Sequence, residues 1–132
     1  TSERDIMLIR LAEMYLIKAE CQMELGQNGE ALNTLNYLRA QRAISGKDNS
    51  ISGTVTMETI LDERCLEFLG EGDRWFDLKR TGTLVARASA HHYKIKAANF
   101  VGVGGALKIL RPIPQQALDL NQNKDFPQNP GY

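Results

Sequence analysis

The residues with the clearest chemical potential lie in the run DERCLEFLGEGDRWFDLKR, from Asp62 to Arg80. Glu63, Glu67 and Glu71 recur in this run at a spacing of four, which places three carboxylates along one stripe of a helix. Like charges at this spacing cost roughly a few tenths of a kcal/mol per pair when exposed, and more when they are removed from water. The pattern therefore predicts cationic side chains among the carboxylates.

Arginines on three predicted helices can supply these cations. The guanidinium group is planar and bonds two carboxylates at once. We therefore predict a structural charge network that fixes the register of the three helices. Its predicted members are Arg10, Arg39, Glu63, Arg64, Glu67, Glu71, Arg74 and Asp77, with Arg42 as a further candidate partner.

Two reactive sites are alternatives for the same carboxylates. Glycoside hydrolysis needs two acids that face each other across a cleft and have separated pKa values, and a single helical stripe does not place them so. A carboxylate metal site needs a companion such as Glu-x-x-His from a neighbouring helix, but His91 and His92 are adjacent and point in different directions. We therefore predict no catalytic residue, no metal and no cofactor.

The remaining reactive groups are predicted to be structural. Cys21 and Cys65 each lie in a helical pattern among apolar neighbours, so we expect two buried free thiols, with a single disulfide as the alternative. The run VGVGG matches neither the dinucleotide-binding spacing nor the P-loop spacing. It predicts a flexible loop.

The composition is that of a globular protein with one hydrophobic core. Of the 132 residues 42% are hydrophobic, and 16 Lys and Arg balance 16 Asp and Glu to a formal net charge of zero. A domain that binds nucleic acid or anionic lipid through phosphates usually carries a basic surplus. The balance disfavours both partners, and no apolar run approaches the roughly 20 residues of a membrane-spanning helix.

A helical hairpin is the most regular element in the pattern. Apolar residues, Leu11 among them, recur at helical spacing from Asp5 to Leu25, with Ser2 as N-cap, and Gly26 ends the helix. A second helix follows so closely, with Asn28 as its predicted N-cap, that the two must pack antiparallel. The large and small residues expected of a tetratricopeptide-like pair are Tyr15, Ala19, Gly26, Ala31 and Leu35.

A third helical region follows the polar loop ISGKDNSISGTVT. Thr56 is its predicted N-cap, and Gly70 and Gly72 predict a break before a further helical stretch in which Trp75 and Phe76 are expected to be buried.

The carboxyl-terminal part is less regular: residues 93–96 alternate like a short strand, and residues 115–120 suggest one or two helical turns. We predict a mainly all-α fold with a helical core over residues about 5–80 and an irregular region over residues about 83–132 that has room for short strands.

Three blocks of the sequence resemble the carboxyl-terminal segment of the SusD/RagB family of outer-membrane glycan-binding lipoproteins. They are IRLAEMYLIKAEC from Ile9, LDERCLEFLGEGDRWFDLKRTG from Leu61, and LRPIP together with the closing QNPGY. The blocks cover most of the chain in the family's order, and the middle block is the most specific. Cys65 and Ala117 depart from the family pattern, which puts the local pairings at these two positions in doubt.

The resemblance implies that residues 1–132 form a single domain of tetratricopeptide-like pairs, the carboxyl-terminal fragment of a longer protein. It implies non-catalytic binding of an oligosaccharide or polysaccharide at the cell surface, and nutrient uptake with a SusC-like TonB-dependent outer-membrane transporter. Membrane association would come through a lipid anchor on an amino-terminal cysteine that this chain lacks. A helical-repeat scaffold that binds a protein partner without sugar is the alternative.

The sugar-binding aromatic residues of such proteins are expected to lie mostly outside this chain. Stacking on a sugar needs an exposed aromatic face beside polar partners. Tyr93 and Phe100, in the irregular region, are the candidate carbohydrate-binding residues, with a packing role as the alternative for each.

Overall fold

The computed structural model describes residues 9–123 and 125–132, and its regular structure there is helical. The six α-helices of these residues are α1 (Leu11–Glu24), α2 (Asn28–Arg42), α3 (Met57–Glu67), α4 (Arg74–Arg80), α5 (Leu84–His91) and α6 (Gln115–Asp119). Two short 3₁₀ helices, Ala97–Phe100 and Val103–Gly105, lie between α5 and α6. In the described residues β structure is limited to the antiparallel bridge between Val101 and Leu107. The predicted all-α class is confirmed.

The chain divides into two compact units, Thr1–Arg74 and Trp75–Tyr132. The first contains α1, α2 and α3, and the second contains α5, α6 and the carboxyl-terminal segment.

The first unit is built on the predicted hairpin. Gly26, at φ 73°, ends α1, and the Gln27 N–H donates to the Gln22 carbonyl at 2.8 Å, the pattern of a glycine-terminated helix. α2 packs on α1 across this turn, and α3 packs on α1 as well. The small side chains of Ala19 and Ala31 are fully buried, so the helices approach closely at these positions.

The core of this unit joins all three helices. The largest fully buried side chains of this core are Leu16, Leu35, Ile60 and Leu61. Full burial of such an apolar side chain contributes about 1.5–3 kcal/mol to folding.

Helix α1 begins later than its periodicity predicts. Arg10 has an extended backbone, at φ −113° and ψ 154°, and α1 starts at Leu11, so the predicted start at Asp5 is wrong. The extended residue directs the Arg10 side chain to carboxylates near the end of α3, and Leu11 is left 71% exposed. The predicted N-cap Ser2 lies outside the described residues.

The loop 44–56 is held along α2 by asparagine side chains. Asn28 is the first residue of α2 and not its predicted N-cap, because its Oδ1 accepts the Val55 N–H at 2.6 Å. Asn36 accepts the Ile51 N–H at 2.8 Å and donates to the Ile51 carbonyl at 2.9 Å. Buried Val55 and half-buried Ile51 show that this loop, predicted to be exposed, is partly packed.

The boundaries of α3 follow the prediction. Thr56 caps the helix, because its hydroxyl accepts the Thr59 N–H at 3.3 Å while the Thr59 hydroxyl accepts the Thr56 N–H. Gly70 and Gly72, at φ 85° and 95°, separate α3 from α4. The predicted break at the two glycines is confirmed.

In the second unit the closing residues are fastened to the segment before α6. The Gln128 amide both accepts the Ile113 N–H at 2.7 Å and donates to the Ile113 carbonyl at 2.9 Å. The Asn129 amide donates to the Arg111 carbonyl, and the Tyr132 hydroxyl to the Leu110 carbonyl. The sequence blocks LRPIP and QNPGY thus contact each other.

The glycine run, residues 101–105, forms a tight turn against which the carboxyl-terminal residues pack. The Val103 N–H donates to the Gly131 carbonyl at 3.1 Å. A Cβ on Gly102 would collide with that same carbonyl, so the position requires glycine for close approach. The predicted flexible loop is therefore an ordered contact.

Three local expectations are wrong: a strand at residues 93–96, burial of Trp75 and Phe76, and burial of Cys21 and Cys65. Residues 93–96 form no strand. Phe76 is 69% exposed and Trp75 is half-buried, so neither is a buried residue of α4. Cys21 is exposed and Cys65 is half-buried, and both thiols are free, which also excludes the disulfide in this structure.

We predict that Gly102→Ala releases the carboxyl-terminal residues, because the added methyl group must displace the Gly131 carbonyl. Hydrogen exchange of the Val103 amide should then lose its protection. Gly29→Ala is the matched control, since a Cβ at Gly29 meets nothing within 4 Å. Equal protection of Val103 in both variants would contradict the contact.

Candidate functional site

A shared carboxylate lies at the centre of the charge network. The Glu67 side chain is 7% exposed at the end of α3. Arg10 Nη1 lies 2.8 Å and Arg42 Nη2 lies 2.7 Å from the same oxygen, Oε1 of Glu67, and Arg42 Nε donates to Oε2 at 3.0 Å. Arg10 Nη2 also donates to the Glu67 carbonyl. One carboxylate therefore ties the residue before α1 and the last residue of α2 to α3.

Glu71 reaches the same arginine from beyond the helix. Its two carboxylate oxygens accept from Arg10 Nη2 at 2.7 Å and from Arg10 Nε at 3.2 Å. Because α3 ends at Glu67 and Gly70 turns the chain, the predicted single helical stripe of three carboxylates is wrong. The pairing of Glu71 with arginine is present all the same.

The aromatic ring of Phe68 packs against two arginines of the network. Phe68, which is buried, has the guanidinium carbons of Arg10 and Arg64 at 5.1 Å and 5.2 Å from its ring centroid. A cation over a ring face is attracted by the ring quadrupole, and the attraction grows when both groups leave water.

The other predicted members form smaller groups. Arg39 pairs with Glu63 at 2.5 Å and donates to the Asn49 carbonyl at 2.6 Å. Arg64 reaches Glu13 at 3.4 Å, a partner that the prediction did not include.

Arg74 and Asp77 have local partners. Arg74 Nη1 donates to the carbonyl of Leu61 at 2.6 Å, within the first unit. In the second unit Asp77 pairs with Arg80 of its own helix at 3.5 Å.

The charges in the network stabilise one another. The hydrogen bonds from Arg42, and after them those from Arg10, lower the pKa of Glu67 against the opposing effect of burial. The pKa of Arg10 is raised by its bonds to Glu71 and Glu67, and that of Arg42 by its bond to Glu67. These groups remain ionised at neutral pH, which suits a structural role and not proton transfer.

The two predicted aromatic candidates differ in accessibility. Tyr93 is 79% exposed, with the His92 ring stacked at 5.1 Å and Lys94 Nζ at 5.0 Å from its centroid. Phe100 is buried and offers little ring surface to a ligand.

A second aromatic surface lies on the first unit. The rings of Tyr15 and Tyr37 are 5.0 Å apart between centroids and inclined by 34°. A hydrogen bond between the two side chains raises the pKa of Tyr15. Sequence periodicity assigned Tyr15 to the core and did not indicate that Tyr37 contacts it. The pattern shows which face of a helix is apolar, but it does not show which residues of two helices meet.

In residues 9–123 and 125–132 no group of three or more His, Cys, Asp or Glu is placed to hold a metal ion. Across the same described part of the chain, no helix has the length and apolar character needed to cross a membrane.

We predict that Glu67→Ala destabilises the protein by about 3 kcal/mol, because it leaves Arg10 and Arg42 without their shared carboxylate. Urea unfolding measures the change. Glu71→Ala is the matched control: its side chain is 41% exposed, so its loss should cost less than about 1 kcal/mol. Equal costs would show that the burial of Glu67 is energetically unimportant.

We further predict a pH dependence that depends on Glu67. Its folded pKa lies below the unfolded value of about 4.3, so its contribution is complete above that value and is lost as the pH falls through the lowered pKa. Unfolding free energies at about pH 6 and about pH 3 should therefore differ more for the wild type than for Glu67→Gln. An equal acid loss in both would assign the dependence to other carboxylates.

Comparison with known proteins covers the whole chain. The sequence model of the SusD family matches residues 1–132. Starch-binding protein SusD from Bacteroides thetaiotaomicron is 35% identical over 130 residues, which are 98% of this chain and 22% of that protein. SusD-like protein P38 from Formosa agariphila is 38% identical over 91 residues, 63% of this chain and 18% of that protein. No solved structure matches the chain.

These matches cover most of this chain but only a small part of each relative. The chain spans about a fifth of the length of the curated relatives it matches. The family model and the Bacteroides relative nevertheless each cover nearly every residue of this chain. The chain belongs to the SusD family.

Proposed function

We propose that this chain is the carboxyl-terminal part of a cell-surface protein that binds an oligosaccharide or polysaccharide without chemical turnover. The observation that carries the proposal is the match to the SusD family over residues 1–132, together with 35% identity to a protein named for starch binding. Membership of the SusD family supports carbohydrate binding rather than catalysis. The arginine pairing of Glu67 and Glu71 supports a structural role for these carboxylates.

The finer part of the proposal is nutrient uptake. The bound glycan passes to a SusC-like TonB-dependent transporter in the outer membrane, and a lipid anchor near the amino terminus of the longer protein keeps it at the surface. The support for this part is the resemblance of the three sequence blocks to the family, whose members work in this way.

The role of the described residues in this function is mainly that of a scaffold. The charge network fixes α1, α2 and α3, and Tyr93 offers an exposed ring for contact with a glycan. Phe100, being buried, contributes to packing in this proposal.

A protein-binding scaffold is the second candidate function, and the outer face of α1 favours it. Leu11, Met14 and Ile17 lie along this face and are 43–71% exposed, and the exposed C-cap residue Leu25 follows the helix. An apolar stripe of this kind is typical of a surface that another helix covers.

A glycan panel tests the proposal. The chain and the longer natural protein that contains it are run in gels that contain soluble starch, xyloglucan, galactomannan or laminarin. We expect at least one polysaccharide to retard the longer protein relative to serum albumin as a non-binding control. If none does while the protein still co-purifies with its transporter, the glycan proposal is wrong and the scaffold function is favoured.

A further inference from the structure

A groove between α1 and α2 carries the aromatic pair. It is an open, shallow depression with a volume of about 390 Å³. We call it the Tyr15–Tyr37 groove. Its lining residues are Tyr15, Lys18, Glu30, Asn33, Thr34 and Tyr37.

A second cavity continues the groove past the aromatic pair. It has a volume of about 210 Å³ and is also lined by Tyr15 and Tyr37, with Leu11 and Gln41 farther along. The two rings therefore stand between two cavities that follow the helices. This arrangement suits an extended ligand with repeating units better than a compact one.

The rings offer a stacking surface that is already ordered. Tyr37 is 51% exposed, and its ring is held beside that of Tyr15 at a centroid distance of 5.0 Å. The tilted contact between the two rings limits how far either ring can turn. A ligand that stacks here loses less free energy to side-chain ordering than one that must first fix a mobile ring.

The polar side chains around the rings can bond hydroxyl groups. Lys18 donates, Glu30 accepts, and the Asn33 amide does both, and all three are exposed. The charges of Lys18 and Glu30 are opposite, and Arg42 beside the second cavity is paired with Glu67, so neither sign dominates along the groove. Phosphate and other anions are therefore disfavoured, whereas a pyranose ring, with an apolar C–H face and a rim of hydroxyls, matches these groups.

We propose that the Tyr15–Tyr37 groove is a binding site for a neutral, linear oligosaccharide. One sugar ring stacks on Tyr37, its hydroxyls bond Lys18, Glu30 and Asn33, and the next unit extends toward Gln41. This inference rests on the proposed glycan-binding function and gives it a site in the first unit, away in sequence from Tyr93 and Phe100.

Site-directed variants of the longer natural protein test the groove, with the panel polysaccharide that retards it most as the probe. Tyr37→Ala should weaken binding about tenfold, because the stacking face is lost. Tyr37→Phe keeps the ring and should bind like the wild type. Phe76→Ala removes an exposed ring outside the groove and should change binding much less than Tyr37→Ala.

Hydroxyl-radical footprinting gives a local readout in the same protein. An oligosaccharide of the same polysaccharide should slow the oxidation of Tyr37 several-fold relative to that of exposed Phe76, with sorbitol at equal mass concentration as the control for radical scavenging. This comparison does not depend on how well any variant folds.

The outcomes separate this inference from the proposed function. If the longer protein binds a glycan but Tyr37→Ala binds it equally well and Tyr37 is not protected, the groove is not the site and the function stands. If Tyr37→Ala instead weakens only the association with the transporter, the groove is a protein contact and the inference is wrong. If no polysaccharide binds at all, the proposed function fails and the inference with it.

Discussion

A nearly buried carboxylate sets the arrangement of the first unit. Glu67 has lost most of its water, and a carboxylate in that position is tolerated only when cations replace the hydration. Arg10 and Arg42 do so from two different segments, and therefore the ends of these segments must come to the end of α3. Hydrophobic burial supplies most of the stability of the three helices, but it specifies their longitudinal register less sharply than these directed bonds do.

The parts of the fold that were predictable from sequence depend on local rules. Helical periodicity, the stop at Gly26, the cap at Thr56 and the break at Gly70 each involve a few neighbouring residues, and the structure has them all. The charge network was partly predictable, because carboxylates at a spacing of four require cations somewhere near. Which arginine meets which acid was not, since that depends on how the helices pack.

The errors arise where tertiary contacts override a local pattern. The start of α1 is delayed because Arg10 leaves the helix to reach Glu67, and Glu71 joins the network only because a glycine turn brings it back. Cys21 lies on the outer side of α1, where apolar neighbours in the sequence do not imply burial. The aromatic pair could not be predicted from the sequence, because Tyr15 and Tyr37 meet only when α1 and α2 pack side by side.

The backbone path of the loop between α2 and α3 is set mainly by side chains of α2 that bond it. Asn28 and Asn36 bond main-chain groups of Val55 and Ile51, so these bonds do not depend on which side chains the two loop residues carry. The buried Val55 side chain and the Asn49 amide, which donates to the Arg39 carbonyl, do depend on residue type. Lys47 of this loop is exposed, and a substitution there leaves the bonds between the loop and α2 in place. The loop therefore gives an engineer a fixed platform on which exposed positions can carry new contacts.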